Sequence, residues 1–287
     1  MEKIAVFTSG GDSPGMNACI RAVVRTGIKY GLEVFGIMEG FKGMIDGQFI
    51  PLTSESVSNI LQRSGTILKS ARCQEFRTKA GRASAYQQLK NHGIEGIVAI
   101  GGDGTFTGAT VFMQEYPDIK MVGCPGTIDN DLYGTDFTIG FDTAVNTAMD
   151  AIDKIKETAN SHNRLFFVEV MGRDVGYIAL RSGIATGAEA ILLPESHTDY
   201  DELIAEIKRT YQIKDRSIIV VVAEGDEMGG AIKTAKIVGE QFKELDIKVS
   251  ILGHIQRGGC PTALERVNAS WMGMDAVKVV LEGEKGM

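Results

Sequence analysis

Residues 96–116 read "GIVAIGGDGTFTGATVFMQEY". An apolar run, "GIVAI", flows into a glycine turn, "GGDGT" (101–105), and the turn opens directly into a helix-like stretch. A short continuous apolar run bounded by turn residues is what a strand buried on both faces requires. The same order recurs along the chain. Six β-branched or apolar runs each stop at a loop rich in Gly, Asp or Arg: "IAVFTSGGD", "GIVAIGGDG", "KMVGCPGTIDND", "LFFVEVMGRD", "IIVVVAEGD" and "VSILGHIQRGG". Helical patterns separate them. "GMNACIRAVVRTGIKYG" places Ile20, Val23, Val24 and Ile28 on one face and ends at Gly31, a natural C-cap. "FDTAVNTAMDAIDKIKETAN" repeats the spacing with Ala144, Ala148, Ile152 and Ile155, and "YDELIAEIKRTY" and "IKTAKIVGEQFKEL" do the same. Apolar strands alternating with amphipathic helices predict an α/β fold with a mostly parallel sheet covered by helices. Ligands of such sheets bind at the carboxyl ends of the strands, where all six polar loops fall.

Composition narrows the function classes. The chain has 287 residues, 44% hydrophobic and 23% charged, which suits one large domain or two lobes. Net charge of −7 lends no support to a nucleic-acid partner. "MEKIAVFTSGGD" lacks the layout of a signal peptide, and runs such as "IIVVVA" (218–223) are too short to cross a bilayer, so a cytoplasmic location and no membrane partner are expected. Cys19, Cys73, Cys124 and Cys260 are scattered without a C-x-x-C pair or a matching histidine cluster, which disfavours a disulfide framework or a zinc site. A lobe boundary is expected near Thr138, ahead of the long helix at about 141–160.

The loops carry the chemistry. In "GGDGT", Gly101, Gly102 and Gly104 let backbone N–H groups approach a ligand, and the following helix N-terminus favours an anion. Asp103 would repel a phosphate unless Mg²⁺ stood between them. Taken alone, the stretch is equally a tight strand-to-helix turn with an Asp cap. It is neither a Walker A sequence nor the G-x-G-x-x-G dinucleotide fingerprint. "TSGGDSPGMN" (8–17) is a second glycine turn, with Gly11 placed for close phosphate contact. "SGTILKSAR" (64–72) ends in Arg72, "SHNRLFFVEVMGRD" (161–174) carries Arg164 and Arg173 at opposite ends of a strand, and "LGHIQRGG" (252–259) carries His254 and Arg257. Glycines, carboxylates and cations at every strand end fit phosphoryl transfer, which needs positioning, a metal and cations more than covalent chemistry. In "PGTIDND" (125–131), Asp129 is suited to orient an acceptor hydroxyl and take its proton late, as an ionised carboxylate at neutral pH.

In this order the loops resemble the phosphofructokinase family, the bacterial 6-phosphofructokinases in particular. "SGGDSPGMN", "GTILKSAR", "GGDGT", "PGTIDND", "IGFDTA", "EVMGR", "AEG" and "LGHIQRGG" carry the resemblance over nearly the whole chain. It implies two similar Rossmann-like lobes with the active site between them: residues 1–138 plus about 253–287 for the nucleotide, 139–252 for the sugar phosphate. It also implies a glycolytic kinase that moves the γ-phosphate of ATP to the 1-hydroxyl of fructose 6-phosphate, with Mg²⁺, in a homotetramer under allosteric control.

Carried over by position, Gly11, Arg72, Cys73, Gly102, Gly104 and Thr105 would contact the nucleotide, and Asp103 would serve Mg²⁺. Thr127, Asp129 and Asp131 would hold the reacting end of the sugar, with Asp129 as base and Arg173 offsetting phosphoryl charge. Met171, Gly172, Glu224, His254 and Arg257 would bind the sugar phosphate. Arg164 would reach the 6-phosphate from a neighbouring subunit. Gly at 104 and 126, where the pyrophosphate-dependent branch has Asp and Lys, favours ATP over pyrophosphate, the nearest rival donor.

Departures from the pattern matter too. The family's second cross-subunit arginine is Lys248 here, which keeps the charge but loses the planar fork. Phe41 replaces the usual tyrosine near the adenine. Arg21, Arg25 and Glu189 match the effector site, whereas Ser54 and Lys156 stand where arginines are expected, so control by a nucleoside diphosphate or phosphoenolpyruvate is an expectation. The family pattern also continues past "EGEKGM" (282–287). A nicotinamide-cofactor dehydrogenase is disfavoured because the dinucleotide fingerprint is missing. A non-catalytic sugar-phosphate sensor would not require both Asp103 and Asp129.

Overall fold

The computed structural model describes residues 1–161, 164–213, 217–227, 229–242 and 245–283. His162 and Asn163 of the 161–174 stretch, Lys243 and Glu244 of the helix expected over 232–245, and the last four residues of "EGEKGM" lie outside them. In chain order the elements are β1 (Lys3–Thr8), α1 (Met16–Lys29), β2 (Glu33–Ile37), α2 (Phe41–Asp46), β3 (Phe49–Leu52), α3 (Lys79–His92), β4 (Gly96–Gly101), α4 (Asp103–Glu115), β5 (Lys120–Thr127) and β6 (Ile139–Gly140). They continue with α5 (Phe141–Asn160), β7 (Leu165–Val170), α6 (Tyr177–Thr186), β8 (Ala190–Leu192), α7 (Tyr200–Ile213), β9 (Ile218–Ala223), α8 (Gly230–Gly239), β10 (Ile247–Ile251) and α9 (Ala263–Leu281). No helix among the described residues is long and apolar enough to cross a membrane.

Two compact units divide the chain. The first comprises Met1–Ile128, Leu132–Asp142 and Arg257–Met287; the second comprises Asp129–Asp131 and Thr143–Gln256. The first unit holds a six-stranded sheet in the order β3-β2-β1-β4-β5-β6. All neighbouring pairs are parallel except β2 with β3, an edge strand whose Pro51 removes a donor the edge can spare. Alternation along each strand feeds two cores. Ile4, Val6, Val98 and Ile100 pack with Ile20, Val23 and Val24 of α1 and Ala276, Val277 and Val280 of α9. Ala5, Phe7, Ile97 and Ala99 face the other way, against Phe41, Met44, Leu89, Ala109 and Phe112. Burying one such large side chain contributes about 1.5–3 kcal/mol relative to leaving it exposed.

The second unit holds a four-stranded, fully parallel sheet in the order β10-β7-β9-β8. Leu165, Phe167, Val220 and Val222 pack with Leu203, Ile207, Ala231, Ala235 and Val238 on one of its faces.

All six expected strands form, as β1, β4, β5, β7, β9 and β10. The extra strands β2, β3, β6 and β8 are two to five residues long, too short for a periodic signal. Helix α1 ends as expected. Gly31 (φ 77°) donates to the Ile28 carbonyl, and Leu32 to that of Gly27, the paired bonds of a Schellman cap. Ile28 departs from its expected face and is 38% exposed. Eight residues beyond Ile20 it has rotated about 80° away from the buried stripe. Helix α8 begins at Gly230 and stops at Gly239 rather than running over 232–245; a glycine costs a helix interior about 1 kcal/mol.

Candidate functional site

In the first unit the parallel register sets the strand ends side by side: Thr8 opposite Ile100, and Gly101 opposite Pro125. The turns that follow β1, β4 and β5 therefore meet at one edge of the sheet, where a doubly wound fold binds ligands. Ser9 N–H donates to the Ile100 carbonyl at 3.0 Å and ties the first turn to the second. A Cβ on Gly101 would overlap Thr105 Oγ1 and lie 2.7 Å from the Ser9 carbonyl, so only glycine permits this approach. Gly102 caps α4, Asp103 opens its first turn in an exposed position, and Thr105 is buried. Gly104 differs from Gly101: an added Cβ would meet nothing within 4 Å. Gly126 is close-packed, with Ile100 Cγ2 and Met16 Cε each 3.1 Å from such a Cβ, so this glycine answers to packing as well.

The "SGTILKSAR" segment is laid across these turns by side chains far away in sequence. Asn17 donates through Nδ2 to the Arg63 carbonyl at 3.0 Å and accepts from Ile67 N–H at 2.8 Å. Thr8 and Thr66 share a 2.8 Å hydroxyl bond, Thr8 also donates to the Lys69 carbonyl, and Ser70 donates to the Gly10 carbonyl at 2.6 Å. Asn17, Thr8, Thr66 and Ser70 are site-building residues that the sequence reading did not single out, although all four lie inside the quoted motifs. Arg72 emerges exposed, and half-buried Cys73 packs against the aromatic cluster of Phe41 and Phe76. Phe41 stacks on Phe76 with ring centroids 3.9 Å apart. Arg257 lies over Gly11, where any Cβ would overlap its Nη1, and it donates to the Asp12 carbonyl at 3.2 Å. The structure thus brings Arg257 to the same glycine turn as Gly11.

Past β5, Thr127 is half-buried, and its carbonyl accepts from the Thr138 hydroxyl at 2.6 Å. Asp129 is 8% exposed and Asp131 is exposed. Asn130 links them with φ 54°, a left-handed geometry that asparagine tolerates better than most side chains.

In the second unit the loop after β7 is shaped by Gly172 (φ 153°) and Arg173 (φ 56°). A left-handed arginine persists only where its surroundings hold it. Here the Glu224 carboxylate does so, accepting from Arg173 N–H at 2.7 Å and Gly172 N–H at 3.3 Å. Gly225 is needed beside it, since a Cβ there would overlap the Arg173 carbonyl. Met171 is buried and donates its N–H to Gln256 Oε1 at 2.9 Å. The Arg173 guanidinium is 71% exposed, with Asp174 3.5 Å away. His254 is exposed in the turn Gly253–Arg257.

Arg164 and Lys248 meet through Asp246, each 2.7 Å from a different carboxylate oxygen. The Lys248 ammonium first, and the Arg164 guanidinium next, hold the Asp246 carboxyl below the usual carboxylate range. Asp246 was not read from the sequence; its only signal was its place two residues before Lys248.

Of the residues the resemblance assigns to an effector site, Arg21 and Arg25 lie one turn apart on α1. Partial burial, followed by repulsion from Arg25, lowers the Arg21 guanidinium from its ordinary value. In the second unit Lys156 donates to the Thr186 and Gly187 carbonyls at 2.7 and 3.3 Å, satisfying the end of α6 as a cation does at a helix C-terminus. Glu189 accepts from Ile219 N–H at 2.8 Å.

Residues 3–280 match the family model described as Phosphofructokinase. The chain is 56% identical over 283 residues to an ATP-dependent 6-phosphofructokinase of Cytophaga hutchinsonii, covering 99% of this chain and 86% of that protein. It is 55% identical over 288 residues to an ATP-dependent 6-phosphofructokinase 1 of Thermus thermophilus, covering 100% and 88%. Among solved structures, phosphofructokinase from Saccharomyces cerevisiae superposes with a TM-score of 0.94 at 42% identity, over 98% of this chain. The chain spans 42% of the length of that yeast chain. A pyrophosphate-dependent phosphofructokinase from Marinobacter aquaeolei, at 23% identity, TM-score 0.86 and coverage of 99% and 77%, shares the fold. The chain belongs to the phosphofructokinase family.

Proposed function

We propose that this chain is an ATP-dependent 6-phosphofructokinase: it transfers the γ-phosphoryl group of ATP to the 1-hydroxyl of fructose 6-phosphate, giving fructose 1,6-bisphosphate and ADP. The observation that carries the reading is the open glycine edge of the first unit. Gly104 presents bare backbone at the start of α4, beside exposed Asp103, in a chain more than half identical to relatives named for ATP.

Gly11, Arg72, Cys73, Gly102, Gly104 and Thr105 take the nucleotide on this reading. Exposed backbone N–H groups and the α4 N-terminus meet phosphate oxygens, and no side chain stands over Gly104 to repel them. Among the described residues no group of three or more His, Cys, Asp or Glu forms a metal cage. One exposed carboxylate, Asp103, fits Mg²⁺, which is usually held by one or two carboxylates plus substrate phosphates. When bound, Mg²⁺ supplies neutralisation of phosphate charge.

Thr127, Asp129 and Asp131 hold the acceptor end of the sugar. Asp129 accepts the proton of the 1-hydroxyl as its oxygen bonds to phosphorus, while the bond from phosphorus to the bridging oxygen breaks and ADP leaves. Arg173 offsets charge on the moving group. Met171, Gly172, Glu224, His254 and Arg257 bind the sugar phosphate; Glu224 contributes by fixing the Gly172 and Arg173 amides. Arg164 and Lys248 take the 6-phosphate, supplied from a neighbouring subunit in a homotetramer. Arg21, Arg25, Lys156 and Glu189 serve effector binding in an allosteric, cytoplasmic, glycolytic enzyme.

The test is an initial-rate comparison of ATP and pyrophosphate as donors, across a short panel of phosphorylated hexoses. Fructose 6-phosphate with ATP is expected to give the highest kcat/KM. Turnover with pyrophosphate above that with ATP would refute the donor assignment.

A further inference from the structure

Strands β7 and β10 run parallel and in register, with Leu165 opposite Ile247 and Phe166 opposite Lys248. The residues one step before each strand, Arg164 and Asp246, therefore stand together at the amino ends, and Lys248 joins them from within β10. Leu165 N–H donates to the Asp246 carbonyl at 3.3 Å, which fixes the backbone beneath the cluster. Asp246 Oδ2 accepts from Arg164 Nε at 2.7 Å, and Oδ1 lies 2.7 Å from Lys248 Nζ.

How the carboxylate is used matters more than its presence. Its bond to Arg164 goes through Nε, so the terminal Nη pair, the fork that matches a phosphate, is not consumed. Its bond to Lys248 takes one of three ammonium hydrogens. A blocking carboxylate would occupy the fork itself. Two cations drawn this close repel each other, and one oxygen apiece offsets that repulsion. The cluster still sums to one positive charge, and all three side chains remain partly open to solvent.

We propose that Asp246 is a positioning residue: it holds Arg164 and Lys248 side by side as a two-cation cradle, their unused N–H groups presented to a phosphoryl dianion. This inference rests on the assignment of Arg164 and Lys248 to the 6-phosphate of fructose 6-phosphate and supplies what that assignment lacks. Lysine has no fork of its own, and the carboxylate replaces part of the lost orientation.

The experiment uses the full chain and measures kcat, KM for fructose 6-phosphate and KM for ATP in Asp246→Ala, Asp246→Asn and Arg164→Ala. An exposed ion pair is worth up to about a fivefold change in an equilibrium, so loss of two raises the sugar-phosphate KM of Asp246→Ala about three- to tenfold. The same variant keeps kcat and the KM for ATP. Asp246→Asn, with one neutral acceptor oxygen, falls between Asp246→Ala and the native chain. An unchanged sugar-phosphate KM in Asp246→Ala overturns the proposal. A lowered one does so too, because it makes Asp246 a competitor of the phosphate. Parallel loss in kcat and both KM values also overturns it, as a merely structural role. Arg164→Ala separates the layers: an unchanged sugar-phosphate KM there sinks the underlying assignment, whereas a raised one beside an unaffected Asp246→Ala sinks the inference alone.

Discussion

Gly104→Asp is the perturbation on which the donor assignment turns. An added Cβ at Gly104 meets nothing within 4 Å, and the position has no left-handed φ that a side chain would strain. Folding should therefore tolerate the change. Replacing a flexible glycine contributes about 0.4–1 kcal/mol through the unfolded chain. A carboxylate in the first turn of α4 adds about 0.3–1 kcal/mol from the helix dipole. Thermal stability should hold or rise slightly. Catalysis should not survive. A carboxylate about 4 Å from a nucleotide phosphate costs about 4 kcal/mol at an effective dielectric near 20, or about 10³ in kcat/KM for ATP. The assay is steady-state kinetics with ATP varied and fructose 6-phosphate saturating, alongside a melting curve. Gly104→Ala is the control, since a bare methyl in open space should change kcat/KM by less than about tenfold. If Gly104→Asp melts normally yet retains near-native kcat/KM for ATP, no phosphate lies over Gly104 and the reasoning fails.

The remaining predictions follow from other parts of the fold. Gly101→Ala should lose about 1–3 kcal/mol of stability by overpacking, because its methyl overlaps Thr105 Oγ1 and crowds the Ser9 carbonyl; chemical denaturation measures this. Asp129→Asn should cut turnover by orders of magnitude while fructose 6-phosphate binding, followed by calorimetry, stays near native; equal loss of both would make Asp129 a binding residue. Lys248→Arg restores a fork and should lower the KM for fructose 6-phosphate about ten- to a hundredfold with kcat unchanged, since one charge-assisted bond is worth about 1.5–3 kcal/mol. Glu115 is held below its ordinary pKa, chiefly by its hydrogen bond to Arg82. A depressed carboxylate contributes stability that is present above its unfolded value and lost as pH falls through the folded one. Melting temperature should therefore drop on acidification below about pH 4, and Glu115→Gln should lower stability at pH 7 while flattening that acid limb.

The strand runs and glycine-rich loops were legible in the sequence because their signals are local. "IIVVVA" and "GIVAI" are continuous apolar runs, and a parallel strand buried on both faces requires that pattern wherever it sits. The order of strand, glycine turn and helix places the loops at carboxyl ends without knowledge of any contact, and Gly31 stops α1 by backbone geometry alone. Strands β2, β3, β6 and β8 escaped because two to five residues carry too little periodicity. What only the tertiary structure decided are relations through space between residues far apart along the chain. Gly101 and Gly104 are three residues apart and indistinguishable by type, yet one is wedged against Thr105 and Ser9 while the other faces open space. Glu224, which the resemblance assigns to the sugar phosphate, accepts from the Gly172 and Arg173 amides through one carboxylate oxygen, a contact its sequence position does not announce. Arg257 covers Gly11 from the other end of the chain, and Asp246 stands between two cations because β7 and β10, about eighty residues apart along the chain, run in register. Hydrogen bonds and van der Waals contacts act over a few ångströms, so their partners are set by how the elements pack and not by how the residues are spaced.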